Sequence, residues 1–208
     1  MATVRSGNKG VLLVVDMQAG VLNGTWDTAR IVGNVSRAVE RARTLGVPVI
    51  WVQHADEELV RGSPEWQWVH GLAPAKDEPV IEKRFNSSFE QTTLEEELAR
   101  LGATHIVLGG AASNWCVRAT AYAALDRGYD LTLIRDGHTT QTMELDDGMR
   151  IEAPRIIDEL NAVMTWVRYP GRTSGTATAE QVEFGIPGGK AGSADGEHRD
   201  RTSVPGSS

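Results

Sequence analysis

The segment Gly10-Val11-Leu12-Leu13-Val14-Val15-Asp16 is an apolar, β-favouring run between a glycine and an aspartate. A run without alternating polar positions indicates a strand that is buried on both faces, as in a parallel sheet. The same signal returns further along the chain, at Val47–Val52, Pro79–Lys83, Ile106–Leu108 and Leu131–Ile134. Two weaker strand candidates follow, at Val163–Val167 and Glu180–Phe184.

Helical patterns separate these runs. Apolar residues recur at helical spacing in four segments: Val32–Ala42, Leu94–Leu101, Trp115–Arg127 and Glu152–Ala162. Strands that alternate with helices are typical of a parallel sheet with right-handed crossovers. The sequence therefore predicts an α/β fold of three layers, Rossmann-like, with a mostly parallel sheet of about six strands and helices on both faces.

The chain has 208 residues, which is the usual size of one domain. We expect a single domain over residues 1–186, followed by a tail. Eleven of the 22 residues from Pro187 to Ser208 are Gly, Ser or Pro, and the segment has one large apolar residue, Val204. Such a composition predicts a disordered tail over residues 187–208.

Charge and cysteine content exclude several classes of protein. The net charge of −7 disfavours nucleic acid as a partner, and one cysteine excludes an internal disulfide. The apolar run Val11–Val15 is too short for a membrane span or a signal sequence. We therefore expect a cytoplasmic protein with a small-molecule substrate, no nucleic acid and no membrane partner.

The sequence contains no Gly-x-Gly-x-x-Gly motif that would support a dinucleotide site. It contains no Gly-x-Ser-x-Gly motif that would support a nucleophilic serine at a strand-to-helix turn.

Reactive side chains follow the predicted strands, where open α/β sheets bind their ligands. Asp16 follows the first run, Lys83 ends the third, and Cys116 begins a predicted helix. A helix N-terminus and a nearby lysine both favour a thiolate, so we expect Cys116 to have a depressed pKa. Asp16 is suited to move the thiol proton, and amides around Ala112–Cys116 are suited to bind an oxyanion. The set predicts nucleophilic acyl transfer.

Three motifs carry a clear resemblance to a known superfamily. They are Leu13-Val14-Val15-Asp16-Met17-Gln18, Lys83 with Asn86-Ser87-Ser88-Phe89, and Gly110-Ala111-Ala112-Ser113-Asn114-Trp115-Cys116-Val117. In order and spacing the chain resembles the isochorismatase-like cysteine hydrolases over about residues 10–170. That superfamily includes nicotinamidases, N-carbamoylsarcosine amidases, ureidoacrylate hydrolases and isochorismatases.

The resemblance implies a catalytic triad of Asp16, Lys83 and Cys116. It also implies a cis peptide bond between Ala111 and Ala112, and an oxyanion hole formed by the amides of Ala112 and Cys116. No cofactor is expected. We further expect a homo-oligomer, either a dimer or a tetramer.

One departure from the resemblance concerns metal. The nicotinamidases carry a metal-binding Asp-x-His after the second strand, whereas this chain has Gln53-His54-Ala55-Asp56. We therefore expect no metal, although a set of His54, His70 and Asp56 stays open as an alternative.

The retained cysteine favours cleavage of a C–N bond in a small linear amide, carbamoyl or ureido compound. Two alternatives stay open: hydrolysis of a vinyl ether, as in isochorismatases, and a non-catalytic binding protein. Further residues are candidates for the substrate pocket; these are Gln18, His54, Trp66, Trp68, Phe89, Trp115 and His138.

Overall fold

The computed structural model describes residues 2–185. Eight strands alternate with four helices and one π-helical turn. The strands are β1 Lys9–Val15, β2 Val49–His54, β3 Val80–Lys83, β4 Ala103–Ala111, β5 Asp130–Thr139, β6 Met143–Glu144, β7 Arg150–Ile151 and β8 Ser174–Ala177. The helices are α1 Thr28–Thr44, α2 Leu94–Leu101, α3 Arg118–Asp126 and α4 Ala153–Trp166, and the π-helical turn is Ser113–Val117.

Six of the strands form one parallel sheet in the order β3-β2-β1-β4-β5-β8. Strand β1 lies near its centre, and all but the first of its residues are buried. Its side chains alternate between two cores, with Val11, Leu13 and Val15 on one face of the sheet. Leu12 and Val14 contact the other core. The prediction that this apolar run is buried on both faces is confirmed.

Helices cover the two faces of the sheet unequally. Helix α1 packs on one face through residues such as Ile31 and Val35. Helices α2, α3 and α4 pack on the other, through residues such as Leu98, Leu125 and Leu160. The three-layer α/β fold predicted from the sequence is therefore confirmed.

The sixth sheet strand is not where the sequence predicts it. Val163–Val167 lies mostly in the last turn of α4, where Met164 is buried, so a strand there is wrong. Glu180–Phe184 is not a strand either; Val182 and Phe184 are buried in a loop. The edge strand is instead Ser174–Ala177, whose pairing with Leu131–Ile134 defines it although it has no apolar run.

Gly110 brings the end of β4 against β1. Its φ of +134° lies in a region that L side chains rarely adopt, and a Cβ there would stand 2.0 Å from the Val15 carbonyl oxygen. Only glycine permits this approach. The turn that follows β4 therefore starts beside the end of β1.

The predicted tail, residues 187–208, lies outside the described residues. Among residues 2–185, no helix has both the length and the apolar character needed to cross a membrane.

Candidate active site

The predicted triad lies at the carboxyl ends of β1, β3 and β4, at one edge of the parallel sheet. Asp16 follows β1 directly, with a φ of 51°, and its N–H donates to the Val52 carbonyl at 2.9 Å. Lys83 is the last residue of β3, and Cys116 lies in the π-helical turn after β4. An aspartate held in a left-handed conformation is the kind of local strain that functional sites tolerate.

Lys83 stands between the other two groups. Its Nζ lies 2.6 Å from Asp16 Oδ2 and donates to Cys116 Sγ at 3.2 Å. The side chains of Lys83 and Asp16 are almost completely buried, at 0% and 1% exposure. Asp16 Oδ1 is also buried and, among residues 2–185, has no hydrogen-bond partner. The structure thus brings together the three residues that the resemblance implies, and it leaves one carboxylate oxygen free to accept a proton.

Burial and neighbouring charges together set the pKa values of Lys83 and Cys116. Burial lowers the pKa of Lys83, but Asp16 and Cys116 outweigh it, so that its pKa lies above the ordinary value. The pKa of the Cys116 thiol is raised to about 12, mainly by burial and then by the Asp16 carboxylate, against a lowering by Lys83. The expectation of a depressed thiol pKa is therefore wrong. The helix N-terminus and Lys83, which favour the thiolate, do not offset the rise in pKa caused by desolvation and by the negative charge of Asp16.

His54 joins the triad through Lys83. Strand register places it directly opposite Lys83, and Lys83 Nζ donates to His54 Nδ1 at 3.1 Å. His54 Nε2 lies 2.8 Å from Asp56 Oδ2. We call Asp16, Lys83, Cys116, His54 and Asp56 the charged network.

His54 and Asp56, two of the three residues of the alternative metal site, are thus hydrogen-bonded to each other. The described part of the chain contains no group of three or more His, Cys, Asp or Glu that could hold a metal ion. His70, the third member of that alternative, is exposed.

A second polar cluster supports the turn that carries Cys116. His138 Nδ1 lies 2.8 Å from Ser113 Oγ, and its Nε2 lies 3.1 Å from Asn161 Oδ1. His138 is completely buried, which lowers its pKa to about 4 and keeps the ring neutral. We call Ser113, His138 and Asn161 the neutral network.

The backbone before Cys116 has the predicted geometry. The peptide bond between Ala111 and Ala112 is cis, as the resemblance implies. The Ala112 carbonyl accepts hydrogen bonds from the N–H groups of Trp115 and Val117, both at 3.1 Å. An oxyanion hole at Ala112 and Cys116 stays a prediction.

Several residues predicted to line the substrate pocket lie in the interior instead. Gln18, Phe89 and His138 are 0%, 6% and 0% exposed, so they offer almost no surface to a ligand. The side-chain amide of Gln18 donates to the backbone carbonyls of His54 and Trp66. Phe89 packs near the Tyr129 ring in the core.

The three tryptophans predicted to line the substrate pocket lie in different environments. Trp68 packs edge-on against the core residue Trp51, with ring centroids 5.3 Å apart. The carbonyl of Trp66 accepts from Gln18 and Gln53, and its Nε1 is buried without a partner among the described residues. Trp115 is 53% exposed beside Cys116 and is the aromatic residue of this set that is free to meet a ligand.

An open cleft of about 1040 Å³ adjoins Lys83. Its lining is mostly charged and comprises Ala55, Asp56, Glu57, Glu58, Arg61, Glu82, Lys83, Arg84, Phe85 and Gln91. Of these, only Asp56 and Lys83 are candidates from the sequence. Five of the lining residues, from Ala55 to Arg61, lie in the long polar segment between β2 and β3, whose length marks a region but does not identify its members.

Asn86 belongs to the second sequence motif and has no predicted role. Its Oδ1 lies 3.8 Å from Cys116 Sγ. The next residues tie this loop to α3, since Ser88 Oγ lies 2.8 Å from Thr120 Oγ1.

A family model described as the isochorismatase domain matches residues 10–166, about three quarters of the chain. The chain belongs to the isochorismatase family. The resemblance drawn from the three sequence motifs is thereby confirmed. The matched region includes the whole triad and both polar networks.

Two curated proteins are similar to this chain over more than half of its length. The chain is 31% identical over 180 residues to a streptothricin hydrolase from Streptomyces noursei, a match that covers 83% of this chain and 66% of that protein. It is 28% identical to a maleamate amidohydrolase from Pseudomonas putida, covering 61% and 60% of the two chains. The chain therefore spans just under two thirds of the curated relatives it matches here.

Solved structures of the family have the same fold. A crystal structure of an isochorismatase from Pseudomonas putida superimposes with a TM-score of 0.75 at 30% identity. The match covers 83% of this chain and 89% of that one.

Proposed function

We propose that this protein is a cysteine hydrolase that cleaves a C–N bond of a small linear amide, carbamoyl or ureido compound. The observation that carries the proposal is the position of Lys83 Nζ, 2.6 Å from Asp16 Oδ2 and 3.2 Å from Cys116 Sγ. This arrangement puts a nucleophile, a proton acceptor and a fixed positive charge within one small volume. The relatives named as a hydrolase of streptothricin and an amidohydrolase of maleamate support this class of reaction.

Acylation begins from the neutral thiol, because the pKa of Cys116 is raised to about 12. Cys116 Sγ attacks the carbonyl carbon while its proton passes to Asp16, whose Oδ1 is unpaired. Lys83 stabilises the negative charge that develops on sulfur and oxygen. As the C–N bond breaks, Asp16 returns the proton to the leaving nitrogen, which departs as an amine or ammonia.

Deacylation uses the same groups in reverse. Water attacks the thioester on Cys116 and gives a proton to Asp16, and the bond between sulfur and carbon breaks. Asp16 then returns the proton to the sulfur, which restores the resting thiol and releases a carboxylic or carbamic acid. Both half-reactions therefore depend on a carboxylate that can change its protonation state at each step.

The lining of the open cleft of about 1040 Å³ includes Lys83 but not Cys116, and we propose that the substrate enters the site from this cleft. Arg84 and the acidic side chains of Glu57 and Glu58 line this cleft, so we propose that it selects among polar substrates. We also keep the expectation of a cytoplasmic homo-oligomer, a dimer or a tetramer, which light scattering after size exclusion would check.

The experiment is a screen for ammonia release over primary amides, ureides and carbamates, with the wild type beside Cys116→Ser. We expect at least one compound that only the wild type turns over, and an acyl adduct on the single cysteine detected by intact mass. Turnover of a vinyl ether without any amide would favour the isochorismatase reaction. Binding without turnover of any compound would favour the non-catalytic alternative.

A further inference from the structure

The ammonium of Lys83 has three N–H groups, and each one has an acceptor. Two acceptors, Asp16 Oδ2 at 2.6 Å and Cys116 Sγ at 3.2 Å, belong to the triad. The third is His54 Nδ1 at 3.1 Å, which lies outside it. Because the ammonium is tetrahedral and buried, the third bond fixes the direction of the other two.

The contact also fixes the tautomer of His54. A lysine ammonium has no acceptor, so His54 Nδ1 must accept and its ring proton must be on Nε2. That proton is donated to Asp56 Oδ2, 2.8 Å away. Asp56 is itself anchored, since its Oδ1 accepts from the backbone N–H groups of Glu58 at 2.9 Å and Leu59 at 2.7 Å.

The backbone of His54 is clamped as well. Its N–H donates to Gln18 Oε1 at 2.8 Å, and its carbonyl accepts from Gln18 Nε2 at 3.0 Å. Gln18 is completely buried two residues after Asp16. The imidazole is therefore held from its backbone and from its far nitrogen, while its near nitrogen faces Lys83.

We propose that His54, oriented by Asp56, is a positioning residue that holds the Lys83 ammonium between Asp16 and Cys116. The inference rests on the proposed function, because it assigns a role within the same site. Without His54, one N–H of a buried ammonium loses its acceptor, which disfavours the charged form and frees the side chain to rotate. Lys83 then stabilises the Cys116 thiolate less well, and the cysteine reacts more slowly.

The test uses iodoacetamide as a probe on the full chain, because Cys116 is the only cysteine and intact mass then reports its alkylation directly. Rates are compared at one mildly alkaline pH for the wild type, His54→Leu, His54→Asn and His70→Leu. Asparagine restores the acceptor, because its Oδ1 is attached to Cγ as Nδ1 is in histidine. His70 is the matched control, an exposed histidine in the segment between β2 and β3.

We expect His54→Leu to lower the alkylation rate by about 10-fold or more, the effect of losing a hydrogen bond to a charged group. His54→Asn should stay within about 3-fold of the wild type, and His70→Leu should match it. Melting temperatures of the variants are measured alongside. A purely structural role predicts instead that the two His54 variants follow their melting temperatures and that asparagine gives no rescue, and this result would overturn the proposal.

A variant at Asp56 keeps the test open if His54→Leu does not fold. Asp56 is 43% exposed, so Asp56→Asn should fold. We expect it to slow alkylation by about 3-fold, because an asparagine whose Oδ1 still accepts from Glu58 and Leu59 presents an NH2 group to the Nε2–H of His54, and the imidazole is then held less firmly. A rate equal to that of the wild type would contradict the inference. Alkylation needs no substrate, so the two proposals can fail separately. If the alkylation rates follow the expected order but no amide is turned over, the proposed function is wrong and the inference about His54 stands.

Discussion

Two polar networks reach the turn Ser113–Val117 from the two flanks of β4, and they differ in charge. The charged network comes from the side of β1, β2 and β3, and it contains a buried ion pair and the unpaired oxygen of Asp16. The neutral network comes from β5 and α4, and both nitrogens of its histidine have partners. We therefore propose that the charged flank changes its protonation state during the reaction, whereas the neutral flank holds the backbone of the turn.

Burial has opposite consequences on the two flanks. In the neutral network it lowers the pKa of His138 to about 4, so that the ring stays uncharged at neutral pH. In the charged network it raises the pKa of the Cys116 thiol to about 12 and keeps the nucleophile protonated. A buried group avoids charge unless a partner compensates, and in the charged network Lys83 and Asp16 compensate each other.

The largest effect is expected at Asp16. Asp16→Asn removes the group that moves the proton, so turnover of a confirmed substrate should fall by at least about 10²–10⁴-fold. The same change removes a negative charge that raises the thiol pKa, so alkylation of Cys116 by iodoacetamide should become faster. Loss of turnover together with slower alkylation would contradict the role of Asp16 as a base.

A somewhat smaller loss is expected at Lys83. Lys83→Met removes the positive charge that lowers the thiol pKa, so alkylation should become slower, and turnover should fall by about 10²-fold. The alkylation rates of the two triad variants therefore move in opposite directions. Thermal unfolding is recorded as a control, since Asp16 would be left buried without its partner.

We expect His138, in the neutral network, to make the free energy of unfolding depend on pH. The folded-state pKa of His138, about 4, lies below its ordinary value of 6.5, so the unfolded chain binds this proton more readily. Its contribution is fully present above about pH 6.5 and is lost as the pH falls toward 4, by up to about 3 kcal/mol. The difference in unfolding free energy between the wild type and His138→Gln, measured by urea titration at each pH, isolates this effect. A difference that does not vary with pH would contradict this prediction, because it would show that folding leaves the pKa of His138 at its ordinary value.

The smallest effect is expected for Ser113→Ala. The change leaves His138 Nδ1 buried without a partner, which costs about 1–3 kcal/mol of stability. Alkylation of Cys116 should stay within about 2-fold of the wild type, because no charge near the sulfur changes. A rate change as large as that of Lys83→Met would remove the distinction between the two networks.

Much of the site was predictable because it lies where local patterns end. Asp16 follows an apolar run, Lys83 closes another, and Cys116 comes after a third, so parallel strands alone place them at one edge of the sheet. The motif resemblance then identifies them as a set. Register adds His54, which pairs directly with Lys83. The edge strand Ser174–Ala177 was missed because its polar sequence resembles a loop, and only pairing with Leu131–Ile134 makes it a strand.

The sequence by itself determined the α/β fold and the order of the strands' apolar runs, and it predicted which three residues form the triad, because each depends on local periodicity or on a short motif. Only the tertiary structure decided the interior placement of Gln18 and His138, the contact between His54 and Lys83, and the protonated state of Cys116. These properties depend on the balance between desolvation and charges brought together from distant segments. That balance is a function of distance and burial, which no single stretch of sequence contains.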